Sequence, residues 1–165
     1  MLALTKKWIE DFEKGKKAEK KVLFWLTQQG YQVYPILHYK HQEQHKVYTA
    51  EERVKQAEET IFAPDFLVVS ENELFFADVK GKTKLKSLGW VNKRDYDKYF
   101  RIMQKIQGIG FKIYFYIKET KEIFELDELI EPKDFEVKPQ PDGLVYVIPE
   151  EHLKLVAELN SNTVE

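Results

Sequence analysis

Three charged side chains stand inside two of the most apolar runs of this 165-residue chain. Asp65 lies in Ile61-Phe62-Ala63-Pro64-Asp65-Phe66-Leu67-Val68-Val69, and Asp78 and Lys80 lie in Leu74-Phe75-Phe76-Ala77-Asp78-Val79-Lys80. A charge in such a run must be paired, bound to a metal, or placed at a sheet end facing a ligand. Two carboxylates brought together repel unless a cation lies between them. Hard oxygen ligands of this kind suit Mg²⁺ or Mn²⁺ rather than zinc. Such a cation polarises a phosphoryl oxygen and lowers the pKa of a bound water, and a neighbouring lysine can orient that water or stabilise charge on the phosphate. The chemistry open to these residues is therefore metal-dependent phosphodiester hydrolysis. The plain alternative is a structural ion pair, with Lys80 neutralising one of the acids.

The elements that must position these groups follow from local composition. Ser70-Glu71-Asn72-Glu73 is a turn-type cluster between two runs of strand composition. With Glu71-Asn72 as the loop and Asn72 at positive φ, Ser70 faces Glu73 and Asp65 falls opposite Asp78. Opposed residues have Cβ atoms about 4.5–5.5 Å apart. Asp78 and Lys80 point to the same face of their strand, about 6–7 Å apart along it. Two carboxylates and one ammonium converge.

Around this hairpin, residues 6–29 predict a helix on the spacing of Trp8, Ile9, Phe12, Val22, Leu23 and Leu26. Gly15 is a candidate break that would start the main helix near Lys16, and Gly30 is the terminator. Tyr31 to Leu37 predicts a first strand. His38 to Glu59 is polar; Thr49-Ala50-Glu51-Glu52 has the form of a capping box, and His38, His41 and His45 offer a weaker transition-metal reading. Gly81 to Gly89 predicts a lysine-rich loop, and 92–107 a second long helix with Tyr96 and Tyr99 in the core. Phe111 to Ile117 and Ile123 to Leu126 predict strands, Asp127–Ile130 an acidic helical turn, and 131–143 a loop. Leu144 to Ile148 predicts a last strand and Glu150 to Leu159 an amphipathic helix. The order is that of an α/β protein with a central mixed β-sheet flanked by helices, read as one domain over 1–165.

Without cysteine, disulfides and thiolate metal sites are excluded. No apolar run reaches the length of a membrane span, and the apolar stretch near Met1 is too short for a signal peptide. The expectation is a cytoplasmic protein with no membrane partner. The net charge of −2 hides an asymmetry. Residues 1–21 carry seven lysines and four acids, net +3; residues 80–105 carry nine Lys or Arg and two acids, net +7; residues 118–165 carry five lysines and thirteen acids, net −8. The basic segments flank the candidate acids, a pattern that fits a polyanionic partner. Lys82, Lys84, Lys86, Lys93 and Arg94 are the candidate phosphate contacts. Trp90 reads as packing first and as a base-stacking platform second.

Three motifs in this order resemble the PD-(D/E)XK nuclease superfamily, and most closely its archaeal-type Holliday junction resolvases. They are Lys14-Gly15-Lys16-Lys17-Ala18-Glu19 with Leu26, Gly30, Tyr31 and Val33 downstream; Asp65 with Asp78-Val79-Lys80; and Val91-Asn92-Lys93-Arg94-Asp95. The resemblance implies a restriction-endonuclease-like core and a DNA endonuclease, selective for branched DNA, that uses Mg²⁺ or Mn²⁺ and leaves 5′-phosphate and 3′-hydroxyl ends. It implies Asp65 and Asp78 as direct metal ligands, Val79 as a carbonyl donor, Glu19 as the helix-borne acid completing the site, and Lys80 as the catalytic lysine. Lys16 joins the DNA contacts, and DNA, duplex or branched, is the implied partner, with a homodimer as the assembly that two-strand cutting needs. The chain departs from the resolvases in three places. Asp78 stands where they have Glu, 38–60 is an insertion, and 127–165 is an extension. A non-catalytic nucleic-acid-binding module with a nuclease fold is the alternative.

Overall fold

The structure, a computed structural model, describes residues 2–36 and 62–159, and for residues 2–13 the backbone alone. The proposed capping box at Thr49–Glu52, the histidines at 38, 41 and 45, and all of the 38–60 segment lie outside the described residues.

The described elements run α1 (Leu2–Gln28), β1 (Gln32–Pro35), β2 (Phe66–Val69), β3 (Leu74–Lys82), β4 (Trp90–Asn92), α2 (Lys93–Met103), β5 (Gly110–Ile117), β6 (Glu122–Leu126), β7 (Glu136–Gln140), β8 (Gly143–Val147) and β9 (Leu153–Glu158). Six strands form a mixed sheet in the order β1-β2-β3-β5-β6-β9, and β4-β8-β7 form a smaller antiparallel one. Within the large sheet β3 and β5 are parallel and the other pairs antiparallel. A parallel pair needs a crossover, and the β3–β5 connection carries α2. The class is α/β, as the alternation of elements predicts.

Helices cover opposite faces of the large sheet. On one, Ala18, Val22 and Leu26 of α1, spaced four apart, bury against Phe66, Val68, Phe75, Ala77, Val79 and Tyr114. On the other, Tyr96 and Tyr99 of α2 pack with Phe111, Ile113, Phe115, Tyr146 and Ile148. Period-two alternation along β3 sends Phe75, Ala77 and Val79 to α1 and leaves Phe76, Asp78 and Lys80 for the α2 side. Gly15 does not break α1, which runs through it. The helix stops at Gly30, where φ is +91°. There the Tyr31 N–H donates to Leu26 C=O at 3.2 Å and the Gly30 N–H to Thr27 C=O at 3.1 Å, the Schellman arrangement.

The carboxy-terminal third differs most from expectation. The helix predicted over Glu150–Leu159 is a short 3-10 turn, Glu150–His152, followed by β9. Leu153, Val156 and Ala157 do satisfy helical spacing. Without β9, however, β6 would be an open sheet edge, and β9 pairs it antiparallel from Leu126↔Leu153 to Glu122↔Glu158. The loop predicted over 131–143 contains a 3-10 turn, Pro132–Asp134, and β7. Pro139 is accommodated because β7 is the edge strand of its sheet. No helical turn forms at Asp127–Ile130. Ile130 instead exchanges hydrogen bonds with Tyr96: its N–H donates to the phenol oxygen at 2.8 Å, and the phenol donates to its C=O at 2.7 Å. The second helix ends at Met103 rather than 107. Among the described residues no helix is long and apolar enough to cross a membrane.

Candidate active site

The hairpin adopts the register that its loop composition predicts. Phe66↔Ala77 through Val69↔Leu74 pair antiparallel, and the Ser70 N–H donates to Glu73 C=O at 2.9 Å. Continued by one residue, this register sets Asp65 against Asp78. The turn itself is built differently, because Asn72 does not adopt positive φ. The Ser70 hydroxyl oxygen instead accepts from the N–H groups of Asn72 at 3.3 Å and Glu73 at 3.1 Å, so a side chain does the work expected of the backbone.

Asp78 is the more deeply buried acid, 3% exposed. Lys80 Nζ lies 2.9 Å from its buried Oδ2, which has no partner beyond that ion pair among the described residues. The Tyr99 hydroxyl lies 3.4 Å from Asp78 Oδ1 and 3.5 Å from Ala63 C=O, two long contacts of which a phenol can donate to only one. Asp65 Oδ2 accepts the Val79 N–H at 2.7 Å. Burial first, then the charges of Asp78 and Glu19, push the Asp65 carboxyl up to about 9. That shift identifies the neighbours: Asp78 is within hydrogen-bonding reach of Asp65, and Glu19, half-buried on α1, is close enough to act on it through space. Burial disfavours the Lys80 ammonium, but Asp78 overrides that, helped by Asp95 and Asp65, so Lys80 stays charged well beyond neutral pH.

The close approach of α1 to β3 depends on Gly81. A Cβ there would lie 3.0 Å from the Ala18 Cβ and 3.3 Å from the Lys14 carbonyl oxygen, so a larger residue would lever away the helix that carries Glu19. The same approach joins Lys14 to the end of β3, where its ammonium donates to the Thr83 hydroxyl. Lys82 follows, its pKa lowered to about 8 by burial and by Lys80 and Lys14. Three lysines thus crowd at one strand end beside the acids.

Of the proposed site residues, Asp65, Asp78 and Lys80 are brought together, and Glu19 is near. Among the described residues, however, no set of three or more acidic or histidine side chains is gathered tightly enough to hold a metal ion. Val79 meets Asp65 through its N–H. Lys16, Lys84, Lys86 and Arg94 are exposed. Lys93 is bonded to Asp97 at 2.8 Å and lies over the Tyr146 ring, so its charge is engaged within the protein. Trp90 is half-buried in β4 under Lys138. Two residues of the site were missed. Helical spacing marks Tyr99 as core first, and its place four residues after Asp95 puts both on one helix face. Lys14 was read only as part of a motif, and no local signal joins it to Thr83.

No model of a known protein family matches the chain, and no curated protein matches it in sequence.

Proposed function

We propose that the chain is a metal-dependent DNA endonuclease of the PD-(D/E)XK superfamily, with a restriction-endonuclease-like core and a preference for branched DNA of the kind that archaeal-type Holliday junction resolvases cut. The observation that carries this reading is the β2–β3 register, which opposes Asp65 to Asp78 and leaves Lys80 on the same face. The oxygen donors are of the type that a hard divalent cation takes. Asp78 Oδ2 is buried with the Lys80 ammonium as its partner among the described residues, and burial, then the charges of Asp78 and Glu19, disfavour the Asp65 carboxylate, a repulsion that a shared cation would relieve. Asp65 and Asp78 would hold Mg²⁺ or Mn²⁺, with the Val79 carbonyl and Glu19 completing the shell. When bound, the cation would polarise the phosphoryl oxygen and acidify the attacking water.

The chain's own residues supply the rest. Lys80, held charged by Asp78, places a cation where negative charge develops on the phosphate. Lys14 and Lys82 repel one another and Lys80, and a phosphate would relieve that repulsion. Tyr99 closes the buried side of Asp78.

A second reading, a non-catalytic nucleic-acid-binding module, draws on the Lys80–Asp78 pair, which partly neutralises the site without a metal, and on the absence of a closed three-ligand cluster among the described residues. The deciding experiment offers purified protein plasmid, linear, flap and four-way junction DNA with Mg²⁺ or Mn²⁺. Cleavage that disappears in Asp78→Asn supports the nuclease. Cleavage that persists equally in Asp78→Asn defeats the site assignment, and salt-sensitive binding with no cleavage of any substrate selects the binding module.

A further inference from the structure

A cavity of about 440 Å³ lies between α2 and the tip of the β7–β8 hairpin. Its charged lining is Lys93, Arg94, Asp97, Lys98, Arg101 and Asp142. Asp97 is taken up internally, by Lys93 Nζ at 2.8 Å and by the Tyr146 hydroxyl, which donates to it at 2.6 Å. Lys98 is 8% exposed and held by its own contacts. Arg94 and Arg101 are different: both are exposed, and neither has an acid at ion-pairing distance among the described residues. Seven residues apart, they lie two helical turns apart on one face of α2 with Lys98 between them. The neighbouring side of α2 carries Asp95 and Tyr99, which address Lys80 and Asp78.

The acid site and the arginine-lined cavity therefore meet adjacent sides of one helix. We infer that this cavity is a second phosphate site, which takes a non-scissile phosphate of a nucleic-acid backbone through Arg94 and Arg101 while another phosphate of the same molecule lies at Asp65, Asp78 and Lys80. The inference rests on the nucleic-acid reading of the acid site and adds to it the part played by the β7–β8 hairpin, which belongs to the carboxy-terminal third. Arginine suits the role because its planar fork binds phosphate in two-pronged fashion.

The test is binding of a labelled duplex to the full chain in EDTA across a salt series. The proteins compared are wild type, Arg94→Gln/Arg101→Gln and Arg94→Lys/Arg101→Lys, with unfolding curves showing that each is folded. The Gln pair is expected to bind about 10-fold more weakly and to lower the slope of log K against log salt by about 2, one counterion set for each lost contact. The Lys pair is expected to keep most of that slope. Unchanged affinity and slope in the Gln pair overturn the site, and so does a Lys pair as impaired as the Gln pair, which would indicate packing. Failure of wild type to bind any duplex at low salt overturns it too. The nuclease reading fails separately: wild type that cleaves nothing, but whose binding depends on the arginines, keeps this site and loses the enzyme.

Discussion

Lys80 and Lys112 sit on adjacent parallel strands, β3 and β5, and each meets acids, but they face opposite sides of the sheet and end in opposite electrostatic states. Lys112 lies over the Phe75 ring on the α1 side. It is 2.9 Å from Asp127, 3.4 Å from Glu73 and 3.9 Å from Glu125. Asp127 is 74% exposed and Glu73 43%, so water completes what the lysine leaves unmet. The Tyr31 hydroxyl also donates to Glu73 at 2.6 Å. Lys80 has Asp78 at 2.9 Å, but that carboxylate is 4% exposed, and burial and Asp78 disfavour the charged form of Asp65 beside it. The same ion-pair chemistry is completed by water on one face and sealed from water on the other. A satisfied cluster is structural. A buried acid pair that stays strained in the folded protein marks the place where a ligand would be stabilising.

The comparison is broken or sharpened most strongly by activity. Lys80→Met is expected to lower cleavage of the best DNA substrate by about 10²–10³-fold, as removal of a charge-stabilising group does. Lys112→Met should leave turnover unchanged and lower stability by about 1 kcal/mol, because Asp127 and Glu73 are solvated and Glu125 lies at the longest distance, 3.9 Å. Single-turnover cleavage and urea melts of both variants read the contrast, and equal losses of activity would erase it.

Metal addition comes next. At a hundred times the dissociation constant, Mg²⁺ or Mn²⁺ should stabilise wild type by about 2.7 kcal/mol. Lys112→Met should gain the same, while Asp65→Asn and Asp78→Asn should gain little. A thermal-shift titration in which the Asp variants respond like wild type would place the metal elsewhere.

The third expectation concerns pH. The Asp65 carboxyl is raised from 3.8 to about 9 in the folded protein, so the native state holds a proton that the unfolded chain has lost. Stability of the metal-free protein therefore falls as pH rises from about 4 to about 9, by at most about 1.4 kcal/mol per pH unit. Asp65→Asn should flatten that dependence and be the more stable form at alkaline pH. Parallel urea melts of the two proteins across this range measure the difference; identical slopes would mean that Asp65 is not strained.

The smallest effect belongs to the satisfied cluster. Tyr31→Phe removes one exposed hydrogen bond and should cost about 0.5 kcal/mol. Glu73 is held below its ordinary pKa by Tyr31 first and by Lys112. Its contribution is present above 4.5 and fades as pH falls through the lowered folded value, so the cost of Tyr31→Phe should shrink in acid.

Local sequence was a good guide wherever the determining contacts are close along the chain. The hairpin shows this: four turn residues between two apolar runs set the register, and the register opposes Asp65 to Asp78. The stripe of Ala18, Val22 and Leu26 and the Gly30 stop were legible for the same reason, since helical spacing and positive φ are local properties. The carboxy-terminal third was not. Leu153, Val156 and Ala157 fit a helix as well as a strand, and the choice was made by β6, whose open edge lies some thirty residues earlier in the chain.

The sequence by itself determined the α/β class, the opposed acids and the lysine beside them, because alternation along a strand and pairing across a short turn leave little freedom. Tertiary structure alone decided how those charges differ from the others. Burial of Asp78 beneath Tyr99, the approach of α1 over Gly81 that brings Glu19 and Lys14 to β3, and the hairpin that closes a cavity against Arg94 and Arg101 all depend on elements distant in sequence. Desolvation and Coulomb coupling act through space, so a charge that reads as one of many along the chain acquires its character only once the fold decides what surrounds it.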